Sequence, residues 1–184
     1  NLVEEPGGTL ITNVKPSFQL FDTNQKGITN LSIDLYKDGS PLNKSAVIDD
    51  SNVIITEVVE FDEVKLSATD AFDFNDAIEI GDAIDVLRHI VKLEEFSAGS
   101  AEFHAADIDN SDTIEIGDAI DILRHIVKLE AIDSFDLIDT TGARVTKLDA
   151  NVTGTASAWT LVANGDVDLS GSFDAAYTVT SDFI

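Results

Sequence analysis

Between residues 9 and 66 apolar and polar side chains alternate with a period of two. In the stretch LSIDLYKDG, Leu31, Ile33 and Leu35 fall on one face and Ser32, Asp34 and Tyr36 on the other. That is the pattern of a half-buried strand running into a turn. The alternation predicts strands over residues 9–14, 17–21, 31–36, 53–59 and 63–67, separated by turn signals at 24–27 and at Lys37-Asp38-Gly39-Ser40-Pro41. The period then changes. After Gly81 the apolar positions are Ala83, Ile84, Leu87, Ile90 and Val91, a single stripe with a period near 3.6 that predicts an amphipathic helix. Residues 68–132 read as helical overall, with 94–100 as a link and a short lead-in helix over 102–106. Beyond them alternation returns, predicting strands over 135–138, 143–148, 159–163, 167–169 and 177–180, with Asn164-Gly165 as a hairpin turn. The expected fold class is α+β. It comprises an antiparallel β-sandwich-like part (1–68), a duplicated loop–helix pair (69–132) and C-terminal β-hairpin strands (133–184).

The helical part is a near-perfect duplication. IEIGDAIDVLRHIVKL begins at Ile78, IEIGDAIDILRHIVKL begins 36 residues later at Ile114, and the copies differ only at Val86/Ile122. Such a period marks a repeated supersecondary unit. Asp82 and Asp118 sit at the helix starts and Arg88, Lys92, Arg124 and Lys128 toward the ends, each sign complementing the helix dipole. Ahead of the second helix, oxygen-bearing residues recur at alternate positions: Asp107, Asp109, Ser111, Thr113 and Glu115, with Asp118 at position 12. Calcium takes six to eight hard oxygens, and a 12-residue loop offers them at this spacing, with position 7 contributing its carbonyl. Asp112 stands at position 6, where glycine is usual; aspartate tolerates the left-handed backbone better than most residues.

Two weaker candidates follow. The 36-residue offset places Asp73, Asn75, Glu79 and Asp82 in a first loop that has Ala71 at position 1 and so lacks a central carboxylate. Asp166, Asp168, Ser170, Ser172 and Asp174 repeat the register with Gly171 at position 6, but Tyr177 occupies position 12. His89 and His125 recur in equivalent places and read as surface or interface residues carried along by the duplication rather than as a transition-metal pair. Asp85/Arg88 and Asp121/Arg124 read as surface ion pairs, and Trp159 as core or hairpin packing.

Charge changes the picture more than composition does. With 35 Asp+Glu against 11 Lys+Arg the net charge is −24, which repels nucleic acid and anionic membranes and attracts divalent cations. Hydrophobic content of 43% supports a core and sets the chain apart from disordered acidic tails. The absence of cysteine excludes disulfides, Cys-ligated zinc, iron–sulfur clusters and thiol catalysis. No apolar run approaches the roughly 18 residues of a membrane span. The chain opens at Asn1 and reads as a processed product or a piece of a longer protein. No nucleophile elbow, P-loop, dinucleotide fingerprint or H-E-x-x-H motif is present, so no enzyme is expected.

The repeat resembles the type I dockerin family, a pair of calcium-loop-plus-helix units. Its counterparts here are residues 71–93 and 107–129, about a third of the chain. The resemblance implies ligation by Asp107, Asp109, Ser111, Thr113 and Asp118. It also implies recognition of a cohesin-like partner through loop positions 10 and 11 and the basic helix residues. Here those are Ile80, Gly81, Ile116 and Gly117, with Arg88, His89, Arg124 and His125. The G-D-A-[IL]-D-x-L-R helix and the closing LVANGDVDLSGSF are similar to dockerin-like modules of large secreted and RTX-type bacterial surface proteins. The function expected is an extracellular, calcium-stabilised, non-catalytic structural, adhesion or assembly module of a surface or matrix fibre. Self-assembly through residues 7–14 as a donor strand is one form of it. The alternatives are a recognition dockerin and an accessory module of a secreted hydrolase that binds glycan through Trp159.

Overall fold

A computed structural model describes residues 17–28, 32–49, 52–55, 63–67, 72–145 and 157–173. The chain order is β1 (Ser17–Phe21), β2 (Ser32–Lys37), β3 (Ser40–Asp49), β4 (Asn52–Ile55), β5 (Glu63–Ser67), α1 (Phe74–Ala77), α2 (Ile80–Ile90), α3 (Ala101–Ala106), α4 (Ile116–Ile126), β6 (Phe135–Ile138) and β7 (Ser157–Ala163). The molecule is α+β. The strands are hydrogen-bonded edge to edge in the order β5-β2-β3-β4-β1-β7-β6. Every pairing is antiparallel except β1 with β7, which run parallel with Leu20 opposite Trp159.

The parallel β1–β7 pair corrects the all-antiparallel pairing expected from the sequence. The sheet is mixed, and its parallel pair joins the first strand to one from the C-terminal third. β3 was not foreseen, because its leading Ser40-Pro41 reads as a turn. The Asn164-Gly165 hairpin does not form either. After β7 the Gly165 N–H donates to the Ala105 carbonyl (2.8 Å), and residues 167–169 curl into a loop instead of a returning strand. Arg144 makes only an isolated bridge to Ile138, and 143–145 form no strand. The strands expected at 9–14 and 177–180 lie outside the described residues.

The helices pack on one end of this sheet. Ala83 and Val86 of α2 and Ala119 and Ile122 of α4 are buried with Leu20, Trp159 and Leu161 in one core. The alanines allow close approach and the branched residues fill the space between turns. Both helices stop the same way. Lys92 and Lys128 adopt φ of 59°, and the N–H groups of Leu93 and Leu129 donate to the carbonyls of Arg88 and Arg124 (both 2.9 Å). That is the Schellman closure, made here with lysine where glycine is usual. Phe72, Phe74, Phe135 and Phe173 form an aromatic cluster with ring centroids 4.9–5.5 Å apart. It pins the segment entering α1 against the end of the loop that follows β7.

Candidate metal centre

Residues 107–118 connect α3 to α4 and fold around buried carboxylates. Asp107, with no exposed surface, accepts from the Ser111 N–H through Oδ1 (2.9 Å) and from the Asp112 N–H through Oδ2 (2.9 Å). Asp109 also accepts from the Ser111 N–H (3.1 Å). Asp118, in the first turn of α4, accepts from the Ile108 N–H (2.9 Å) and the Glu115 N–H (2.7 Å). The Ser111 hydroxyl lies 3.1 Å from the Thr113 carbonyl oxygen. Asn110 and Asp112 take left-handed φ of 59° and 60°, so an aspartate does occupy the position where glycine is usual. Carboxylate oxygens of Asp107, Asp109 and Asp118 lie within 4.8 Å of one another.

A second such group is assembled from distant parts of the chain. Asp166, Asp168 and Asp82 also bring carboxylate oxygens within 4.8 Å. Asp82 lies in the first turn of α2, whereas the other two follow β7. Each of the backbone hydrogen bonds given for the first group has a counterpart here, and Asp82 additionally accepts from the Asp168 N–H (3.1 Å). Asp166 accepts from the N–H of Ser170 (2.9 Å) and of Gly171 (3.0 Å), and Asp168 from that of Ser170 (2.9 Å). Asp82 accepts from the N–H of Val167 (2.7 Å) and of Glu79 (2.7 Å). Leu169 repeats the left-handed turn of Asn110, with φ of 57°. Two candidates that are separate in the sequence thus build one group, the 71–82 loop giving Asp82 and the 166–174 loop giving Asp166 and Asp168.

The rest of the 71–82 stretch does something else. Asp73 caps α1, accepting from the N–H groups of Asn75 and Asp76 (3.0 and 3.3 Å). Asn75 accepts from Lys128 Nζ (3.1 Å), and Glu79 is the N-cap of α2. Asp73 and Asn75 therefore do not join Asp82, because a short helix replaces the loop that would have brought them there, whereas Glu79 meets Asp82 in a reciprocal capping box. Ser170 lies against Asp166 (3.4 Å), Ser172 is exposed, and Asp174 lies outside the described residues.

The duplicated histidines make equivalent hydrogen bonds to backbone. His125 Nδ1 accepts from the Ile132 N–H (2.9 Å), and His89 Nδ1 from the Phe96 N–H (3.0 Å), with the His89 ring stacked on Phe96. Each fastens the chain leaving its helix. Arg88 and Arg124 pair with Asp85 and Asp121 (2.7 and 2.9 Å). Ile80 and Ile116 are exposed, and Gly81 and Gly117 open onto free space.

The donor set suits a hard divalent cation. All the converging groups are oxygens, and two metal–oxygen bonds of 2.3–2.6 Å span about 5 Å, the scale of both groups. Gly171 leaves room that a side chain would take: a Cβ there would sit 2.7 Å from Asp166 Oδ2 and collide with the Phe72 ring. Without a cation these carboxylates are poorly placed as anions. Burial pushes the acids of Asp82 and Asp118 above the usual range. It raises Asp166 to about 6, where the charges of Asp82 and Asp168 add to the effect and the N–H groups of Gly171 and Ser170 oppose it.

Arg144 was not singled out by any sequence signal. Its guanidinium reaches Asp136 Oδ2 (2.9 Å), Asp112 Oδ1 (3.1 Å) and Asp107 Oδ2 (3.2 Å). Against known proteins, no family profile, curated protein or solved structure matches the chain.

Proposed function

We propose that the chain is an extracellular, non-catalytic module, clamped by calcium and serving a structural, adhesive or assembly role in a surface or matrix fibre. The observation that carries the calcium reading is the match between the two acidic groups. One is continuous over 107–118; the other joins Asp82 to Asp166 and Asp168. Holding three carboxylates together costs stability unless a cation sits among them. Two stretches of different sequence adopting the same cradle fit a common ligand better than incidental turns. The resemblance to dockerin-like modules supports the same ion. The test is calorimetric titration with calcium, with thermal unfolding and particle size followed in calcium and in chelator. Two bound ions and a lower melting temperature in chelator are expected. At free calcium one hundred times Kd each site contributes about 2.7 kcal/mol. No binding heat and an unchanged melting temperature would end the calcium reading, and a size that ignores calcium would separate it from assembly.

A second reading, recognition of a cohesin-like protein, is favoured by the outer face of the helix pair. Ile80, Ile84 and Leu87 are exposed, as are their repeat counterparts Ile116, Ile120 and Leu123. An apolar set of this kind on a chain of net charge −24 marks a protein contact. Replacing Leu87 and Leu123 together by asparagine should abolish capture of a cohesin domain while leaving the melting temperature unchanged. The glycan-binding alternative loses its anchor, because Trp159 is buried in the core. No helix among the described residues is long and apolar enough to cross a membrane.

A further inference from the structure

The two acidic groups share their hydrogen bonds but not their surroundings. At loop 107–118 a basic side chain is already in place. Arg144, only 14% exposed, contacts Asp107 and Asp112 within the loop and is held from behind by Asp136 of β6. Among the described residues no lysine or arginine pairs with Asp82, Asp166 or Asp168. A guanidinium keeps its charge at any working pH and cannot yield by losing a proton. It occupies one oxygen of Asp107 and repels a second cation brought to the other.

We propose that Arg144 is a resident counter-ion that makes the two calcium sites unequal: the composite site of Asp82, Asp166 and Asp168 fills first, and loop 107–118 fills second. This rests on the calcium reading above and adds an order of occupancy to it. Arg144 is a positioning residue. In the ion-free protein it neutralises Asp107 and holds loop 107–118 in shape, so that α3 and α4 stay joined without calcium. The composite site has no such substitute, and its closure depends on the ion.

The experiment is calcium titration of the whole chain by calorimetry, first on the wild type and then on four variants. The wild type should bind in two steps separated by about tenfold or more in Kd, the ratio that corresponds to 1.4 kcal/mol. Asp168→Asn should remove the tighter step and Asp109→Asn the weaker; both side chains are exposed, so neither change threatens the core. Arg144→Gln should tighten the weaker step about tenfold and leave the other unchanged, while Arg144→Lys, which keeps the charge, should preserve the inequality. Should Arg144→Gln fail to fold without calcium, the titration of Arg144→Lys and the assignment of steps by the two Asn variants still decide the matter. Two equal steps in the wild type, or a weaker second step in Arg144→Gln, would overturn the proposal and leave calcium binding intact. No binding by any form would overturn the calcium reading and the proposal together.

Discussion

Asp166 makes the stability of the calcium-free protein depend on pH in an unusual direction. A carboxylate that gains partners on folding has a depressed pKa and stabilises the native state as pH rises. Asp166 does the opposite, because burial raises its acid from 3.8 to about 6. The native state therefore holds its proton more tightly than the unfolded chain. Between pH 4 and pH 6 the native form binds more protons, so stability falls as pH rises and levels off above the native pKa. At 1.36 kcal/mol per pKa unit the full loss is about 3 kcal/mol for this one group, and about 2 kcal/mol of it falls between pH 4 and pH 6. That is a large share of the 5–15 kcal/mol typical of a domain. Asp82 and Asp118 are shifted in the same direction and steepen the fall. The assay is urea unfolding in calcium-free buffer at half-unit steps from pH 4 to pH 7, with Asp166→Asn measured alongside. The variant lacks the titrating group, so the wild type should lose about 2 kcal/mol more than the variant over the window, whatever the variant's absolute stability. In saturating calcium the slope should reverse, because the ion binds only the deprotonated ligands. A wild-type curve parallel to that of Asp166→Asn in calcium-free buffer would refute the reasoning.

Three other substitutions probe the packing around the sites. Gly171→Ala should cost about 1–3 kcal/mol by overpacking, since its Cβ would press on Phe72 and Asp166, and should weaken calcium binding at the composite site only. Ile122→Ala, at the fully buried interface of α4, should cost about 2–5 kcal/mol in denaturant unfolding, while Leu123→Ala, one position on and 39% exposed, should cost far less. Lys92→Gly should raise stability by up to about 1 kcal/mol, because it relieves a left-handed residue at a helix end; a loss of stability there would contradict the Schellman assignment.

The helices and loop 107–118 were legible because their signals are local. The stripe from Ala83 to Val91 lies within one helix, and Asp107 to Asp118 lie within one loop. The composite site is not legible, although all three of its carboxylates stand out in the sequence. Asp82 looked like position 12 of a loop missing position 1, and the stretch from Asp166 looked like a loop missing position 12. Each lacked what the other had, and only the complementarity of the two defects could have suggested joining them. Tertiary position decides such a pairing, and periodicity carries no information about it. Arg144 carries no local signal for the same reason, since its partners lie on the loop and on β6. The Asn164-Gly165 turn misled because a hairpin needs a strand to return, and the N–H groups of Val167 and Asp168 are instead taken by Asp82. The terminal histidines of each helix are recognisable as a pair, but their hydrogen bonds to the following backbone depend on where that backbone turns.

The two acidic groups also differ in when they can exist. Loop 107–118 closes across a separation of 10 residues, from Ile108 to Asp118, whereas the bond from Val167 to Asp82 spans 85. Chain-closure entropy alone makes the longer link about 2 kcal/mol harder to form. A ribosome that has released residues up to α4 has already made every carboxylate of loop 107–118, and Arg144 follows soon after. It must still deliver β7, dock it parallel to β1 and extend past it before Asp82 meets its partners. The composite site is therefore the last part of the helical region to form during synthesis. A chain cut short before residue 166 would retain the repeat and its helices but have no means of closing the link.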